Sequence, residues 1–279
     1  MSTALVPAER TSTIQTSAAA DFTGELRSEW TKIRSVRSTI WALVALVVVT
    51  IGFTALFNGL TVSQWENATD TQRQMVMLDP TGQILGSGFQ FSQLAICVLG
   101  VLIMTGEYSS GTIRATLLAV PRRTPVLVAK IAVFAALVFV VAEAAALASF
   151  IVGAMILRSR VEVSIGDPGV LQAILGVGLY AAMLGVFAIA IGALLRHTAA
   201  AITAIIGFVL VLSPLALLLP GDWGRYVYAY LPTNAGQRIA TTVQGPTDLL
   251  TAWQGFGVFA LWTAALMIGA GLLLKRRDA

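Results

Sequence analysis

Six long apolar runs alternate with shorter polar segments along this chain. They lie at about residues 39–60, 84–105, 126–157, 169–195, 198–219 and 254–274. Each run reaches the roughly 20 residues that a helix needs to cross the hydrocarbon core of a bilayer. Backbone in lipid must satisfy its own hydrogen bonds, so the runs are expected to be helical. The pattern predicts an all-α polytopic membrane protein with six transmembrane helices.

The fourth and fifth runs are separated only by Arg196 and His197. Two interpretations are open: one interrupted helix, or two helices joined by a tight turn. Thr198 follows the break as a candidate N-cap, which favours the turn. The outer stretch before the sixth run, at about 220–253, is rich in aromatic residues. After Pro232 it is apolar enough for a short re-entrant or surface helix.

The N-terminal region divides into two parts. Residues 1–20 are rich in Ser, Thr and Ala without a period and predict a disordered lead. Residues 21–279 then form a single transmembrane domain. Within 21–38 the apolar residues recur at helical spacing and predict an amphipathic helix in the membrane interface: Phe22, Leu26, Trp30, Ile33 and Val36. The alternative is a basic flank that only sets the orientation of the first span.

The composition supports a membrane protein. The chain has 279 residues, of which 57% are hydrophobic and 11% are charged, whereas soluble domains carry about 25% charged residues. The mean hydropathy is +0.81. Cys97 and His197 are the single residues of their types, which leaves no intramolecular disulfide and excludes a Cys/His zinc site on count. The expected surroundings are a lipid bilayer, with no nucleic acid as a partner.

The lysines and arginines are distributed unevenly between the two sides. One side receives thirteen of the eighteen: the N-terminal segment, the loop after the second run, Arg196 and the C-terminal tail. The other side receives five: Arg73, Arg158, Arg160, Arg225 and Arg238. Because cytoplasmic loops carry an excess of basic residues, both termini are expected in the cytoplasm. The predicted location is the cytoplasmic membrane.

The segment from Gly106 to Lys130 is an organised polar stretch between the second and third runs. Ser109 and Ser110 can cap a short helix of about two turns, which Pro121 ends. Thr124 and Pro125 can then open the third span. Ile113 and Leu117 would share one face of the short helix, a geometry suited to docking in a groove of a cytoplasmic protein. The alternative is an ordinary basic loop that only satisfies the orientation rule.

Glu143 is the acidic residue that falls inside a predicted span. An ionised carboxylate there is costly, so it is expected to face the bundle interior, to pair or to be protonated. It is either part of a substrate or proton pathway or a hydrogen-bonded carboxyl that serves packing.

Two further sequence patterns concern helix packing and access to the bundle. Small residues at three- and four-residue steps along the fourth run predict close helix contact, and the second run begins with polar residues that suit either an outward vestibule or a frayed helix start: Gly86, Ser87, Gly88, Gln90, Ser92 and Gln93.

Three stretches of the chain resemble type-2 ABC exporter permeases, particularly those of actinobacteria. The first is Glu25 to Ser35, the second is Glu107 to Arg114 followed by Pro121-Arg122-Arg123 and Lys130, and the third is Leu231 to Gly236. The resemblance covers about residues 21–279. It implies an N-terminal elbow helix, a cytoplasmic coupling helix after the second span, and extracellular re-entrant helices before the sixth. The residues that it assigns to coupling with an ATPase are Glu107, Tyr108, Gly111, Thr112, Ile113, Arg114 and Leu117.

The resemblance also implies a dimer of permeases with two ATP-binding subunits, the second permease being identical or homologous. The chain has three lysines, Lys32, Lys130 and Lys275, and none follows a glycine, so it has no Walker A loop for phosphate. ATP and Mg are therefore expected on the partner chains, with no cofactor bound by this chain. The predicted role is a permease subunit that exports an amphipathic substrate, such as a drug, a peptide antibiotic or a lipid-like molecule, and is not itself an enzyme. The alternatives are an ion-coupled secondary transporter using Glu143 and a non-transporting membrane scaffold.

Overall fold

The computed structural model describes residues 18–109, 123–245 and 248–276. These residues form helices and connecting turns, and six of the helices are long and apolar enough to cross a membrane. The all-α polytopic fold predicted from the sequence is confirmed. The helices are α1 Ala18–Ser35, α2 Arg37–Ser63, α3 Asp70–Leu78, α4 Pro80–Ser109, α5 Arg123–Leu157, α6 Val170–Leu195, α7 Thr198–Leu217, α8 Gly221–Tyr230, α9 Pro232–Gln237 and α10 Ala252–Arg276.

The six spanning helices are α2, α4, α5, α6, α7 and α10, and they match the six predicted runs in order. Four of these helices, α2, α4, α5 and α10, extend beyond the predicted bounds, mainly at their polar ends, whereas α6 begins one residue later and α7 ends two residues earlier than predicted. For example, α4 begins at Pro80, four residues before the predicted start, and α5 begins at Arg123. Hydropathy marks the part of a helix that lies in hydrocarbon, and a helix continues past it as long as its backbone bonds can be made.

Helix α6 lies at the centre of the bundle, where it packs against α4, α5 and α10. Its small residues admit side chains and backbone from neighbouring helices. A Cβ at Gly185 would lie 2.9 Å from the ring of Phe134 in α5, and one at Gly192 would lie 3.2 Å from Met104 in α4. The predicted packing role of the small residues in the fourth span is confirmed, because a Cβ at Gly185 would overlap Phe134 and one at Gly192 would be crowded by Met104.

Helices α2, α5 and α10 turn large apolar side chains outward. Trp41, Val140 and Leu261 are among the most exposed. In a soluble protein such a surface would be unstable in water, but in a spanning helix it is the surface that contacts lipid or another membrane chain.

Helix α1 begins at Ala18, three residues before the predicted helix. The remainder of the predicted disordered lead, residues 1–17, lies outside the described residues. Ile33 is buried and Phe22 and Leu26 are partly buried, whereas Trp30 is 48% exposed. Trp30 stands at the edge of the predicted stripe, so the face toward the bundle is centred on Phe22 and Ile33. The position of α1 in a membrane interface stays a prediction.

The break between the fourth and fifth runs is a tight turn, as predicted. Arg196 adopts a left-handed backbone with φ 55° and ends α6. The cap of α7 differs from the prediction, because His197 and not Thr198 is the N-cap. The Nδ1 of His197 accepts a hydrogen bond from the backbone N–H of Ala200 at 3.4 Å, while Thr198 is already inside the helix and uses its hydroxyl elsewhere.

The bundle has two ends, which we call the α1 end and the α3 end after the short helices that they contain. The α1 end contains α1, the end of α4, the start of α5, the Arg196 turn and the end of α10. The α3 end contains α3, the 158–169 loop, α8 and α9. At the α3 end, α9 and the turn Arg238–Ala240 insert between α6 and α10, with Pro232, Ala235 and Ile239 buried. This segment is the stretch for which the sequence predicted a short re-entrant or surface helix.

Candidate functional site

Four charged side chains meet inside the α1 end and form what we call the ion cluster: Glu29, Lys32, Glu107 and Lys130. The Lys130 Nζ lies 2.6 Å from Glu29 Oε2 and 2.7 Å from Glu107 Oε1. The Lys32 Nζ lies 2.6 Å from Glu29 Oε1 and 3.3 Å from Glu107 Oε1. The cluster therefore joins α1, α4 and α5 through charge-assisted hydrogen bonds.

Three of the four side chains in the ion cluster are largely shielded from solvent. The side chains of Lys130 and Glu29 are 4% and 3% exposed, and that of Glu107 is 14% exposed. Two carboxylates face two ammonium groups, so the formal charges balance. Charges that are removed from water need such partners, and the loss of one partner would leave an uncompensated charge in the interior.

Lys32 is the most solvated member of the ion cluster. Burial alone lowers its pKa, but the hydrogen bond to Glu29 and the charges of Glu107 and Glu29 outweigh burial and raise the pKa above its usual value. A raised pKa in the folded state means that Lys32 stabilises the fold at neutral pH. This contribution of Lys32 is lost only as the pH rises through its raised pKa.

The ion cluster holds the two ends of the segment for which a coupling helix was predicted. Glu107 is the second residue of the segment from Gly106 to Lys130, Lys130 is its last residue, and their side chains are in direct contact. Of the predicted coupling residues, Glu107 and Tyr108 are described. The other predicted coupling residues lie outside the described residues: Gly111, Thr112, Ile113, Arg114 and Leu117.

Glu29 and Lys130 were not predicted as partners from the sequence. Two features of the sequence indicated that these residues need charged partners. Glu29 is seven residues from Phe22 and four from Ile33, so a helix places its carboxylate on the apolar face. Lys130 stands inside an apolar stretch that begins at Pro125. A charge on an apolar face needs a partner, but the sequence does not say which one.

A second set of contacts joins the end of α4 to the turn between α6 and α7. The guanidinium carbon of Arg196 lies 5.1 Å from the centroid of the Tyr108 ring, in cation–π geometry. The Nη2 of Arg196 also donates to the backbone oxygen of Leu273 in α10 at 3.4 Å. The hydroxyl of Thr198 donates to that of Thr105 at 2.9 Å. The end of α4 is thus linked to the α6–α7 turn and α10 through Arg196, and to the start of α7 through Thr105.

Glu143 lies in α5 with its carboxyl group against α6. A Cβ built on Gly178 would lie 2.2 Å from Glu143 Oε1, so the carboxyl occupies the space that this glycine leaves. Oε1 is buried without a hydrogen-bond partner among the described residues. The residue as a whole is only partly buried. Its role in transport stays a prediction.

At the α3 end, three uncharged side chains form a polar network between α4, α6 and α9. The Tyr180 hydroxyl donates to Gln93 Oε1 at 2.9 Å, and Gln237 Nε2 donates to the same oxygen at 3.3 Å. Gln93 Nε2 donates to the backbone oxygen of Gln90 at 2.9 Å. Gln93 and Tyr180 are almost completely buried. The polar start of the second span is therefore an internal hydrogen-bonded region and not a frayed helix end.

A family model described as ABC-2 family transporter protein matches residues 25–213, which is most of the chain. The chain belongs to the ABC-2 transporter family. The match includes α1 from residue 25 onward, the ion cluster, Glu143 and the Arg196 turn. No curated protein matches this chain in a sequence comparison.

Membership in the ABC-2 family fixes the broad role of this protein. It is a multi-pass membrane protein with a permease role, and the chain is a transporter subunit and not itself an enzyme. The family also implies a partnership with an ABC ATP-binding subunit.

Proposed function

We propose that this ABC-2 protein is the permease subunit of an exporter that moves an amphipathic substrate across the cytoplasmic membrane. The energy comes from ATP hydrolysed by a pair of separate ATP-binding subunits, and a second permease, identical or homologous, completes the assembly. The single observation that carries this proposal beyond family membership is the ion cluster. It anchors Glu107 and Lys130, which lie at the two ends of the segment from Gly106 to Lys130, to α1. A force applied to that segment would therefore reach three helices at once.

The proposed mechanism is mechanical. ATP binding closes the two ATPase subunits against each other, and the segment between α4 and α5 moves with them. A flexible loop would absorb such a movement. Because Glu107 and Lys130 are bonded to each other and to Glu29, the ends of α4 and α5 and the whole of α1 are expected to move as one unit. The contacts of Tyr108 with Arg196 then pass the movement to α6, α7 and α10.

The composition of the bundle supports an amphipathic or lipid-like cargo. Within the described spanning segments the acidic and basic groups lie near the α1 end, with Glu143 as the acid deeper in the bundle. A path with so few charges offers little compensation to a multiply charged solute, which would lose its hydration on entry. An apolar molecule with one or two polar groups is the class of substrate that suits it.

The test of ATPase coupling is co-purification of the permease with its cognate ATP-binding subunit after Arg114→Glu. This charge reversal is expected to reduce the amount of bound ATPase and the ATPase activity of the complex. The matched control is Arg158→Glu, which reverses an exposed arginine at the α3 end and is expected to leave assembly unchanged. Full assembly and full coupling in the Arg114→Glu variant would reject the proposed contact.

Direct contact between Glu107 and the ATPase needs a second comparison. Glu107 and Glu29 share the same partner, Lys130, so Glu107→Gln and Glu29→Gln weaken the ion cluster in similar ways. If Glu107 also touches the ATPase, Glu107→Gln will lower co-purification more than Glu29→Gln does. Equal effects of the two variants would show that Glu107 acts only within the cluster.

A further inference from the structure

A small cavity opens at the α3 end, away from the ion cluster. Its volume is about 130 Å³. Helix α4 forms one wall, α6 forms the floor, and the turn that follows α9 forms the other wall. Its ten lining residues include Gly86, Phe89, Gln90, Tyr180, Gln237 and Thr241.

The lining combines an aromatic floor with a polar edge. The rings of Phe89 and Tyr180 meet edge to face with centroids 5.7 Å apart. Gln237 and Thr241 supply an amide and a hydroxyl at the edge. None of the ten lining residues is an acid, a lysine, an arginine or a histidine. The carboxylate of Asp79 lies beside Gly82 but already accepts hydrogen bonds from the Gly82 N–H and the Thr242 hydroxyl. The lining itself carries no charge, so its chemistry favours a neutral guest.

The walls of the cavity are held in place by close backbone contacts. A Cβ on Gly176 of α6 would lie 2.2 Å from the backbone oxygen of Ile239, and a Cβ on Gly236 would lie 2.9 Å from the ring of Tyr180. These distances leave no room for a side chain, so α9 and its turn sit directly on α6. The polar network of Gln93, Tyr180 and Gln237 ties the same turn to α4. The cavity is therefore formed before any guest arrives, which lowers the cost of binding.

The size of the cavity limits the guest. An apolar protein cavity of about 150 Å³ accommodates benzene, so a space of 130 Å³ holds one ring or a short chain end. Gly86 and Gln90 are exposed and mark the mouth through which a guest enters from outside the bundle.

We propose that this cavity is a binding site for a small neutral molecule that carries one hydrogen-bonding group on an apolar body of about one aromatic ring. The apolar body packs against Phe89 and Tyr180, and the polar group faces Gln237 and Thr241. The site lies within one permease chain and does not depend on ATP coupling. A negative binding test would therefore leave the proposed exporter role intact, and a failure of the exporter role would leave the binding site intact.

The test uses the full chain in lipid nanodiscs and fluorine NMR of 4-fluorophenol, which is neutral at physiological pH. Saturable broadening of its signal is expected with the protein and not with empty nanodiscs. Two probes of similar size carry a charge, 4-fluorobenzoate and 4-fluorobenzylammonium, and neither is expected to bind. Fluorobenzene, which lacks the polar group, is expected to bind more weakly than 4-fluorophenol.

Two matched glycine variants decide whether binding occurs in this cavity. A Cβ on Gly86 or on Gly59 meets nothing within 4 Å, so either position can accept a larger side chain. Gly86 lines the cavity and Gly59 lies in α2, outside it. Gly86→Leu is expected to weaken binding of 4-fluorophenol by about tenfold or more, because the leucine side chain would occupy space at the mouth of the cavity. A tenfold loss corresponds to about 1.4 kcal/mol of binding free energy. Gly59→Leu is expected to bind as the unmodified protein does.

A further variant tests the polar edge. Gln237→Leu is expected to bring the affinities for 4-fluorophenol and fluorobenzene closer together. The proposal is overturned if 4-fluorophenol shows no saturable binding, if the charged probes bind equally well, or if Gly86→Leu binds as tightly as Gly59→Leu. A monodisperse profile for each variant in gel filtration guards against loss of binding through unfolding.

Discussion

At the scale of single residues, the buried charges of this protein lie in direct contact with opposite charges. Lys130 is almost completely buried between two carboxylates that come from different helices. An unpaired ammonium group at that depth would be several kcal/mol unfavourable, and so would either carboxylate alone. The four charges are stable because they are together, which makes each of them sensitive to the loss of another.

Lys130→Met is predicted to destabilise the protein by about 3–5 kcal/mol, because it leaves Glu29 buried beside one remaining lysine. Lys32→Met is expected to cost less, since the Lys32 side chain is 34% exposed and Lys130 still neutralises the carboxylates. Thermal unfolding of the purified variants in detergent measures both effects. The double variant Lys130→Met with Glu29→Gln should recover part of the loss. A loss for Lys130→Met no larger than that for Lys32→Met would contradict the electrostatic role.

Glu143→Gln is predicted to reduce transport without loss of folding. The substitution keeps the shape of a side chain that fits against Gly178 but removes its ability to ionise. Glu162→Gln is the matched control, because Glu162 is exposed in the loop at the α3 end. Substrate-stimulated ATPase activity and export by proteoliposomes are the measurements. Unchanged transport would remove Glu143 from the pathway, and transport driven by a proton gradient without ATP would favour the ion-coupled alternative.

At the scale of helices, glycines decide how the elements fit together. The insertion of α9 between α6 and α10 depends on three of them, Gly176, Gly236 and Gly255. In each case a neighbouring backbone or ring occupies the position where a Cβ would stand. In α10, by contrast, a Cβ on Gly257 or Gly271 meets nothing within 4 Å, so position and not composition makes Gly255 necessary.

Gly255→Ala is predicted to destabilise the bundle by about 1–3 kcal/mol through overpacking. Its Cβ would lie 2.3 Å from the backbone oxygen of Ala235. Gly257→Ala is the control, two residues further along α10, where a Cβ meets nothing within 4 Å. It should be neutral or should stabilise the helix by about 0.5–1 kcal/mol. Thermal unfolding of the two variants in the same detergent provides the comparison, and equal melting temperatures would argue against close packing of α9 on α10.

At the scale of the whole molecule, the six spans create two ends with different contacts. The α1 end is joined by ion pairs and by the Arg196–Tyr108 contact, whereas the α3 end is joined by α9, the uncharged network and surface ion pairs such as Arg160 with Glu66 at 2.7 Å. The excess of basic residues predicts that the α1 end faces the cytoplasm.

Single-cysteine labelling checks this orientation. Cys97 is completely buried, so Cys97→Ala gives a background without thiols, and Ser109 and Ser164 are exposed at the α1 and α3 ends respectively. With a membrane-impermeant maleimide on intact cells, Ser164→Cys is expected to react and Ser109→Cys is not. Inverted vesicles should reverse this pattern. Labelling of Ser109→Cys on intact cells would mean that the orientation is wrong.

The sequence determined the parts of this protein that depend on local hydropathy. The number and order of the spans, the helix before the first span, and the tight turn at Arg196 were all predicted, because a bilayer requires long apolar helices regardless of how they pack. The precise ends were less accurate, since polar flanks can continue a helix. The N-cap of α7 was assigned to Thr198 instead of His197 because Thr is a preferred N-cap residue and His is not.

Only the tertiary structure decided which distant residues meet. Glu29 and Lys130 are 101 positions apart, and neither residue type nor spacing shows that they pair. The same holds for Gln237 and Gln93, which lie 144 positions apart, and for the cavity beside them. Helical periodicity gives the face of a helix that a residue occupies, but the partner of that face depends on how the helices are arranged around α6. The ion cluster and the cavity are products of that arrangement.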